Sequence, residues 1–292
     1  MREGGKRQGV SDADDPGFIH LREVVLMGDD MGQDFLGSLR ALLIDLDGVM
    51  YRGDAPLAGA LDAVPILDTL GIQHAFVTNN ATQTPEQFQV KLARMGVPAA
   101  ARDVVTSSEA TALYVRRVSG PGARLCIVGE DGLRQVMLQA GFVIDDEDAA
   151  VVVVGLDRHL TYQRLVAACQ AIQRGARFVA TNADRALPVE EGWWPGAGAI
   201  VAAIATTTGV QPTVIGKPEP TLLTVALERL GADLQHSAIV GDQVQADIRA
   251  GRAAGIGTIL VASDPVGPDE PMPDLVVRDL ADLLDRLRTA RG

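Results

Sequence analysis

The chain has 292 residues, 47% of them hydrophobic, which is enough to bury the core of one large domain or two smaller ones and excludes a wholly disordered polymer. With 26 basic against 38 acidic residues the net charge is -12, so the average field repels nucleic acid and anionic membrane surfaces; an anionic ligand must find its positive charge locally. The longest apolar stretches, such as Ala149 to Leu156, fall far short of the roughly 20 residues that span a bilayer, so no membrane association is expected.

Residues 1–38 are rich in Gly, Asp and Arg without a sustained period, and are expected to form a flexible extension or to follow from a start codon set too early. They contain no apolar run of the secretory kind, which predicts a cytoplasmic protein. Leu42-Leu43-Ile44, running into Asp45 and Asp47, reads as a buried parallel strand emptying into a loop. A helix is predicted from Leu57 to Leu70. Ala75-Phe76-Val77 then leads into Thr78-Asn79-Asn80, and Thr84-Pro85-Glu86-Gln87 opens a helix with an N-cap, a proline at the first position and an acid in the first turn. The pattern returns late in the chain: Val214-Ile215 before Gly216-Lys217-Pro218, a helix from Thr221 to Leu230, Ala238-Ile239-Val240 before Gly241-Asp242, a helix through Ala253, and a strand from Thr258 to Val261.

Two Gly/Pro clusters, Ser119 to Gly122 and Pro195 to Gly198, have the composition of hinges and bracket residues 119–196 as an inserted domain. Its strands are predicted at Leu125–Val128, Val151–Val154 and Phe178–Ala180, and its helices near Leu133–Ala140 and Thr161–Gln173. The fold class is therefore α/β: a doubly wound parallel sheet built from residues 39–118 and 197–292, with a smaller α/β domain inserted. In such sheets ligands bind outside the carboxyl ends of the strands, where Asp45, Asp47, Thr78, Asn79, Lys217 and Asp242 all fall, so one site can collect all six.

Cys126 and Cys169 are too few for a disulfide scaffold or a thiolate metal site, and His20, His74, His159 and His236 lack metal-ligand spacing. Asp45-Leu46-Asp47-Gly48 puts two acids at one loop mouth, with Gly48 permitting a tight turn. Taken alone, that pattern reads equally as an Asx turn or a helix cap.

In order along the chain, DLDGVMYRG (Asp45 to Gly53), TNN (Thr78 to Asn80), GKPEP (Gly216 to Pro220) and GDQVQAD (Gly241 to Asp247) resemble the four motifs of the haloacid dehalogenase superfamily. VVVVGLDRHLTY (Val151 to Tyr162) and ATNADRALPVEEGWWPGAGA (Ala180 to Ala199) resemble the phosphatases of that superfamily with a large α/β cap inserted after the second motif. The resemblance runs from about Leu39 to the C-terminus and implies a Rossmann-like core and a Mg²⁺-dependent phosphatase. Its substrate would be a small phosphorylated metabolite, hydrolysed through an aspartyl-phosphate. A carboxylate can attack phosphorus, provided the repulsion between two anions is cancelled by a cation and a lysine.

Carried onto this sequence, the resemblance makes Asp45 the nucleophile and a metal ligand, Asp242 a second carboxylate ligand and the Asp47 carbonyl a third. The Asp47 side chain becomes the general acid, and Lys217 balances charge on the phosphoryl oxygens, which the Thr78 hydroxyl and Asn79 amide hold. Asn80 and Asp247 support the site, Asp247 through a metal-bound water or Lys217, or else as a helix acid favoured by the dipole. Gln243 and Gln245 stand where Arg and Asp are common, and Met50 where a small or aliphatic residue is usual.

A lid over such a site supplies leaving-group contacts, for which Arg158, His159, Asn182, Asp184 and Arg185 are the candidates. Apolar surface on the inserted domain is the expected basis for a homodimer. The competing reading is a non-catalytic module that binds a phosphorylated metabolite on the same fold; it predicts loss of a catalytic acid, and every one is retained.

Overall fold

Strand burial in this chain alternates between two apolar layers rather than between core and water. Leu42 and Ile44 pack on one side of the first long strand and Leu43 on the other, all fully buried, as a central parallel strand requires. The computed structural model describes residues 29–189, 192–262 and 270–292.

In chain order the elements are α1 (Asp29–Ser38), β1 (Ala41–Asp45), a short hairpin of β2 (Tyr51–Arg52) and β3 (Ala55–Pro56), α2 (Ala63–Thr69), β4 (Gln73–Thr78), α3 (Pro85–Arg94), β5 (Val104–Thr106) and α4 (Ser107–Ser119). The inserted region follows with β6 (Arg124–Val128), α5 (Asp131–Gln139), β7 (Val143–Ile144), β8 (Val151–Val154), α6 (Tyr162–Gln173), β9 (Arg177–Ala180), a hairpin of β10 (Ala186–Val189) and β11 (Gly192–Pro195), α7 (Ala197–Thr208) and β12 (Thr213–Val214). The chain then returns through α8 (Thr221–Leu230), β13 (Ser237–Gly241), α9 (Arg249–Ala254), β14 (Gly257–Val261), β15 (Leu275–Val277) and α10 (Leu280–Arg291).

The first sheet has six strands in the order β15-β14-β13-β1-β4-β5, and every pairing in it is parallel. Its central registers, Leu43 opposite Ile239 and Ala75, bring the ends of β13, β1 and β4 level, so the loops after Asp45, Thr78 and Gly241 open at one edge. The second sheet has five strands, β12-β9-β8-β6-β7, also parallel throughout. One apolar cluster joins the two: Leu43, Val77 and Ile239 of the first sheet belong with Leu125, Val153 and Val179 of the second. The other face of the second sheet is covered by α6 and α7 through Ile172, Ile200 and Ile204.

The expected helix at Thr84 is present as α3, with the Thr84 hydroxyl accepting from the Gln87 N–H and the Gln87 side chain accepting from the Thr84 N–H.

Five expectations are corrected. Residues 29–38, assigned to a flexible extension, form α1, where Leu36 is buried and Phe35 packs on the core; residues 1–28 lie outside the described residues. The helix foreseen from Leu57 begins only at Ala63, because Gly59 takes a left-handed turn (φ 84°) pressed against the backbone of Ala281, where a side chain has no room. The inserted domain does not stop at residue 196, since α7 packs on the second sheet and β12 pairs with β9 as its edge. By the same token, Val214 is a strand of the insertion rather than of the first sheet. Gly196 and Gly198 are not hinges either: Gly196 lies against the backbone of Asp184 and Ala186, and Gly198 against that of Ala183 and Asp184, each too closely for a Cβ.

Among the described residues no helix is long and apolar enough to cross a membrane.

Candidate active site

Parallel strands end with their last peptide groups pointing into the same crevice, and here those ends deliver acids. Asp45, the last residue of β1, accepts at Oδ1 from the Lys217 ammonium at 2.7 Å. The same ammonium donates to Asp247 Oδ1 at 2.6 Å, and all three side chains are buried. Asp247 reaches the lysine because a π-helical turn, Val244–Ile248, directs it back over the end of β13. Gly241 has no Cβ to obstruct it there, and the Gln243 N–H donates to its second oxygen at 3.1 Å.

Asp242 completes a cluster with Asp45 and Asp247 in which one oxygen of each carboxylate lies within 4.8 Å of the others. Its approach depends on Gly48, whose φ of 91° no ordinary side chain adopts and whose missing Cβ leaves the space that the Asp242 carboxylate fills.

Three carboxylates around one ammonium are short of positive charge. Burial, reinforced by Asp247, pushes the Asp242 carboxyl up to about 6, and its Oδ1 is buried with no hydrogen-bond partner among the described residues. Asp45 is likewise held above the ordinary carboxylate range, by burial and then by Asp247 and Asp242, against the pull of Lys217. For Lys217, burial alone would lower the ammonium, and Asp247 and Asp45 override it and raise it. An orphaned carboxylate oxygen beside a second carboxylate, all hard oxygen donors, suits Mg²⁺, so the residues present fit the expected ion.

Asp47 follows in the turn that Gly48 closes by donating its N–H to the Tyr51 carbonyl at 2.8 Å. Its carboxylate is reached by solvent on one side and enclosed on the others; this enclosure raises it above the usual range, opposed by Lys91, by the Tyr51 hydroxyl and by Lys217. Tyr51 donates to Asp47 Oδ2 at 3.4 Å, and the Lys91 ammonium sits 3.8 Å over the Tyr51 ring.

At the end of β4 the Thr78 side chain is buried, with its oxygen accepting from the Asn80 N–H at 3.1 Å. Asn80 in turn accepts from the Thr82 N–H and hydroxyl at 2.9 and 2.7 Å, so it braces the loop. The Asn79 side chain clamps the lysine backbone reciprocally, accepting from Lys217 N at 2.8 Å and donating to Lys217 O at 2.9 Å.

Residues 42–143 match the family described as haloacid dehalogenase-like hydrolase, and residues 214–283 match a HAD-hydrolase-like family. An acid sugar phosphatase of Staphylococcus aureus is 45% identical over 223 residues, 76% of this chain and 86% of the relative. The chain belongs to the haloacid dehalogenase superfamily. Among solved structures, the 4-nitrophenylphosphatase of Thermotoga maritima is 35% identical with a TM-score of 0.81, covering 86% of this chain and 98% of the other. A thermostable double mutant from Geobacillus stearothermophilus is 41% identical with a TM-score of 0.79, covering 84% and 98%. This haloacid dehalogenase-type chain is a phosphoric monoester hydrolase of the phosphatase branch.

Two of the five residues of the insertion expected to face a substrate reach the motifs of this haloacid dehalogenase fold. Asn182 donates to the Asn79 carbonyl at 2.8 Å, and the Asp184 carboxylate accepts from the Asn79 amide at 3.2 and 3.3 Å. Arg158 is not free for a leaving group: its guanidinium makes a bidentate pair with Glu130 at 2.7 and 2.8 Å. His159 and Arg185 are exposed, and no hydrogen bond joins their side chains to these residues among those described.

Tyr51, Lys91 and Glu130 were not foreseen. Tyr51 lay inside the first motif, but Lys91 and Glu130 carry no local mark, since both matter only through partners on other elements. Of the departures, Met50 is fully buried in the apolar core, and Gln245 turns outward to Glu270 at 2.9 Å. A groove of about 920 Å³ lined by Phe35, Leu36, Arg252 and Leu275 lies at the opposite, amino-terminal end of β14 and contains none of the site residues.

Proposed function

We propose that this hydrolase is a Mg²⁺-dependent phosphatase that transfers the phosphoryl group of a small phosphorylated metabolite, a sugar phosphate in the first instance, to Asp45 and then to water. The observation that carries the reading is the buried Lys217 ammonium shared between Asp45 and Asp247, beside an Asp242 oxygen with no donor among the described residues. The sugar-phosphate class rests on the likeness to the acid sugar phosphatase of Staphylococcus aureus.

Asp45, Asp242 and the Asp47 carbonyl would hold Mg²⁺, which supplies neutralising charge for the phosphoryl oxygens. Asp45 attacks phosphorus through one carboxylate oxygen while the bond to the leaving oxygen breaks. Its ionised form is held by the 2.7 Å bond from Lys217, an ammonium that also faces the incoming phosphoryl group. Asp47 gives its proton to the leaving oxygen. Enclosure that raises this carboxyl favours the protonated state that the step needs. In the second half, Asp47 takes a proton from water as the water oxygen attacks phosphorus and the bond to Asp45 breaks. Thr78 and the Asn79 N–H orient the phosphoryl oxygens, and Asp247 keeps Lys217 charged and in place.

The non-catalytic alternative gains nothing from the geometry, because a binding module has no use for an acid poised two residues from the nucleophile. Tyr162, Trp193 and Trp194 are exposed apolar side chains of the insertion, and the expected homodimer would rest on side chains of this kind.

The test is phosphate release from a panel of small esters, with and without Mg²⁺, by the wild type and by Asp45→Asn. Metal-dependent release that falls at least about a thousandfold in the variant is expected. No release from any ester by the wild type, or undiminished release by the variant, would overturn the reading.

A further inference from the structure

The catalytic lysine is fastened to the insertion twice. Its loop continues directly from β12, the edge strand of the second sheet, with Ile215 N donating to Ala180 O at 3.0 Å and Gly216 N to Thr181 O at 2.8 Å. Gly216 leaves no room for a side chain between Asn79 and the Thr181 carbonyl. The second attachment runs through Asn79. Its carbonyl accepts from both Asn182 Nδ2 at 2.8 Å and Ser107 Oγ at 2.7 Å, while its side-chain amide makes the reciprocal pair with the Lys217 backbone and also meets Asp184. Asp184 is itself pinned, its N–H donating to Asn182 Oδ1 at 3.1 Å and its carbonyl accepting from Gly198 N at 2.9 Å.

A carboxylate in this place reinforces the orientation that the Lys217 N–H and carbonyl impose on the Asn79 amide, and holds its NH₂ from the other side. If the amide turned over, its oxygen would face both Asp184 and the Lys217 carbonyl and its NH₂ would face the Lys217 N–H, giving a repulsion in place of each attraction. Asp184 therefore acts on the lysine that it does not touch, and its carboxylate is already engaged by Asn79 rather than held open for a leaving group.

We propose that Asp184, with Asn182, is a positioning residue for Lys217, acting through the Asn79 side chain, and not a contact to the leaving group. The inference rests on the phosphatase reading above and differs from it in what it predicts for substrate choice. Lys217 meets the phosphoryl group, which every phosphate ester shares, so a residue that acts through it affects all esters alike. A leaving-group contact separates them.

The experiment measures kcat and KM for p-nitrophenyl phosphate and for a hexose phosphate at saturating Mg²⁺, using full-length wild type, Asp184→Ala and Asp184→Asn. Asp184→Ala is expected to lower kcat about tenfold by the same factor on both esters, with KM changed less than about twofold. Asp184→Asn keeps an oxygen that accepts from Asn79 and is expected to recover to within about threefold of wild type. A KM that rises for one ester and not the other would make Asp184 a leaving-group contact and overturn the proposal. So would an unchanged kcat in Asp184→Ala, or an Asp184→Asn no better than Asp184→Ala. A wild type silent on both esters would bring down the phosphatase reading and this one with it, whereas an active wild type isolates the fault to Asp184.

Discussion

Replacing Lys217 by Met keeps an unbranched stem one atom shorter and removes the ammonium, its charge together with its two hydrogen bonds, from a position where the side chain is 3% exposed and its partners Asp45 and Asp247 are 8% and 1% exposed. Removing one member of a buried ionic group typically costs about 3–5 kcal/mol, because its partners are left buried and uncompensated. Here the cost is limited from above. Asp45 already sits above the ordinary carboxylate range, so it can take up a proton instead of remaining charged. We expect about 3 kcal/mol near pH 7.5 without metal, a thermal midpoint lower by roughly 6–10 °C, and about half that deficit at pH 5, where protonation relieves the repulsion. The assay is thermal unfolding at the two pH values with and without Mg²⁺. The variant should release no phosphate and yet bind Mg²⁺ more tightly than the wild type, since three carboxylates then face the ion without a competing ammonium. The double variant Lys217→Met, Asp247→Asn should recover part of the lost stability, because it removes one of the stranded charges. Equal midpoints for wild type and Lys217→Met at both pH values, or weaker Mg²⁺ binding by the variant, would refute the reasoning.

Gly48→Ala forces a side chain onto a backbone at φ 91° and into the Asp242 carboxylate, so the Mg²⁺ concentration for half activation should rise at least about tenfold with a stability loss of about 1–3 kcal/mol; an unchanged activation curve would count against the assigned metal site. The Asp242 carboxyl, pushed up to about 6 in the metal-free protein, gives a pH dependence with a definite sign. Because its folded value lies above the ordinary 3.8, the stabilisation it contributes is complete below that value and is lost as pH rises through about 6. Mg²⁺ requires the ionised form, so its affinity should fall as pH drops below about 6, with proton release visible by calorimetry in two buffers at pH 5.5. Affinity that stays flat between about pH 5 and 7 would rule this out.

The parts of the molecule legible in the sequence are those where local chemistry and chain order suffice. Asp45, Thr78 and Gly241-Asp242 each close a short apolar run, and parallel pairing of those runs brings their ends together without further information. Asp247 was left between two roles, and the contact with Lys217 depends on a π-helical turn that no spacing rule announces. The boundary of the insertion was set too early because Pro195 to Gly198 has the composition of a hinge. Its glycines serve close packing instead, and only the pairing of Thr213 with Val179 shows where the second sheet ends. Sequence alone speaks for the Asn79 backbone and not its side chain, whose partner Lys217 lies 138 residues away, and it offers Arg158 as a substrate contact because nothing local marks its pairing with Glu130, 28 residues off. Contacts of that range follow from the assembled fold and leave no periodicity behind.

The order of strands in the first sheet bears on how the chain is made. Strand β1 lies between β4, which follows it closely, and β13, whose partner residues lie beyond the whole insertion. As the chain leaves the ribosome, β1, β4 and β5 can pair at once, but the other edge of β1, five apolar or acidic residues buried in the finished protein, stays open until Ser237–Gly241 emerges. The second sheet has no such delay, because its five strands are continuous from Arg124 to Val214 and can close as a unit. Nascent chains from which Val214 but not Ser237 has emerged should therefore carry a folded insertion on an unfinished sheet, with the nucleophile's own strand as the exposed, aggregation-prone edge.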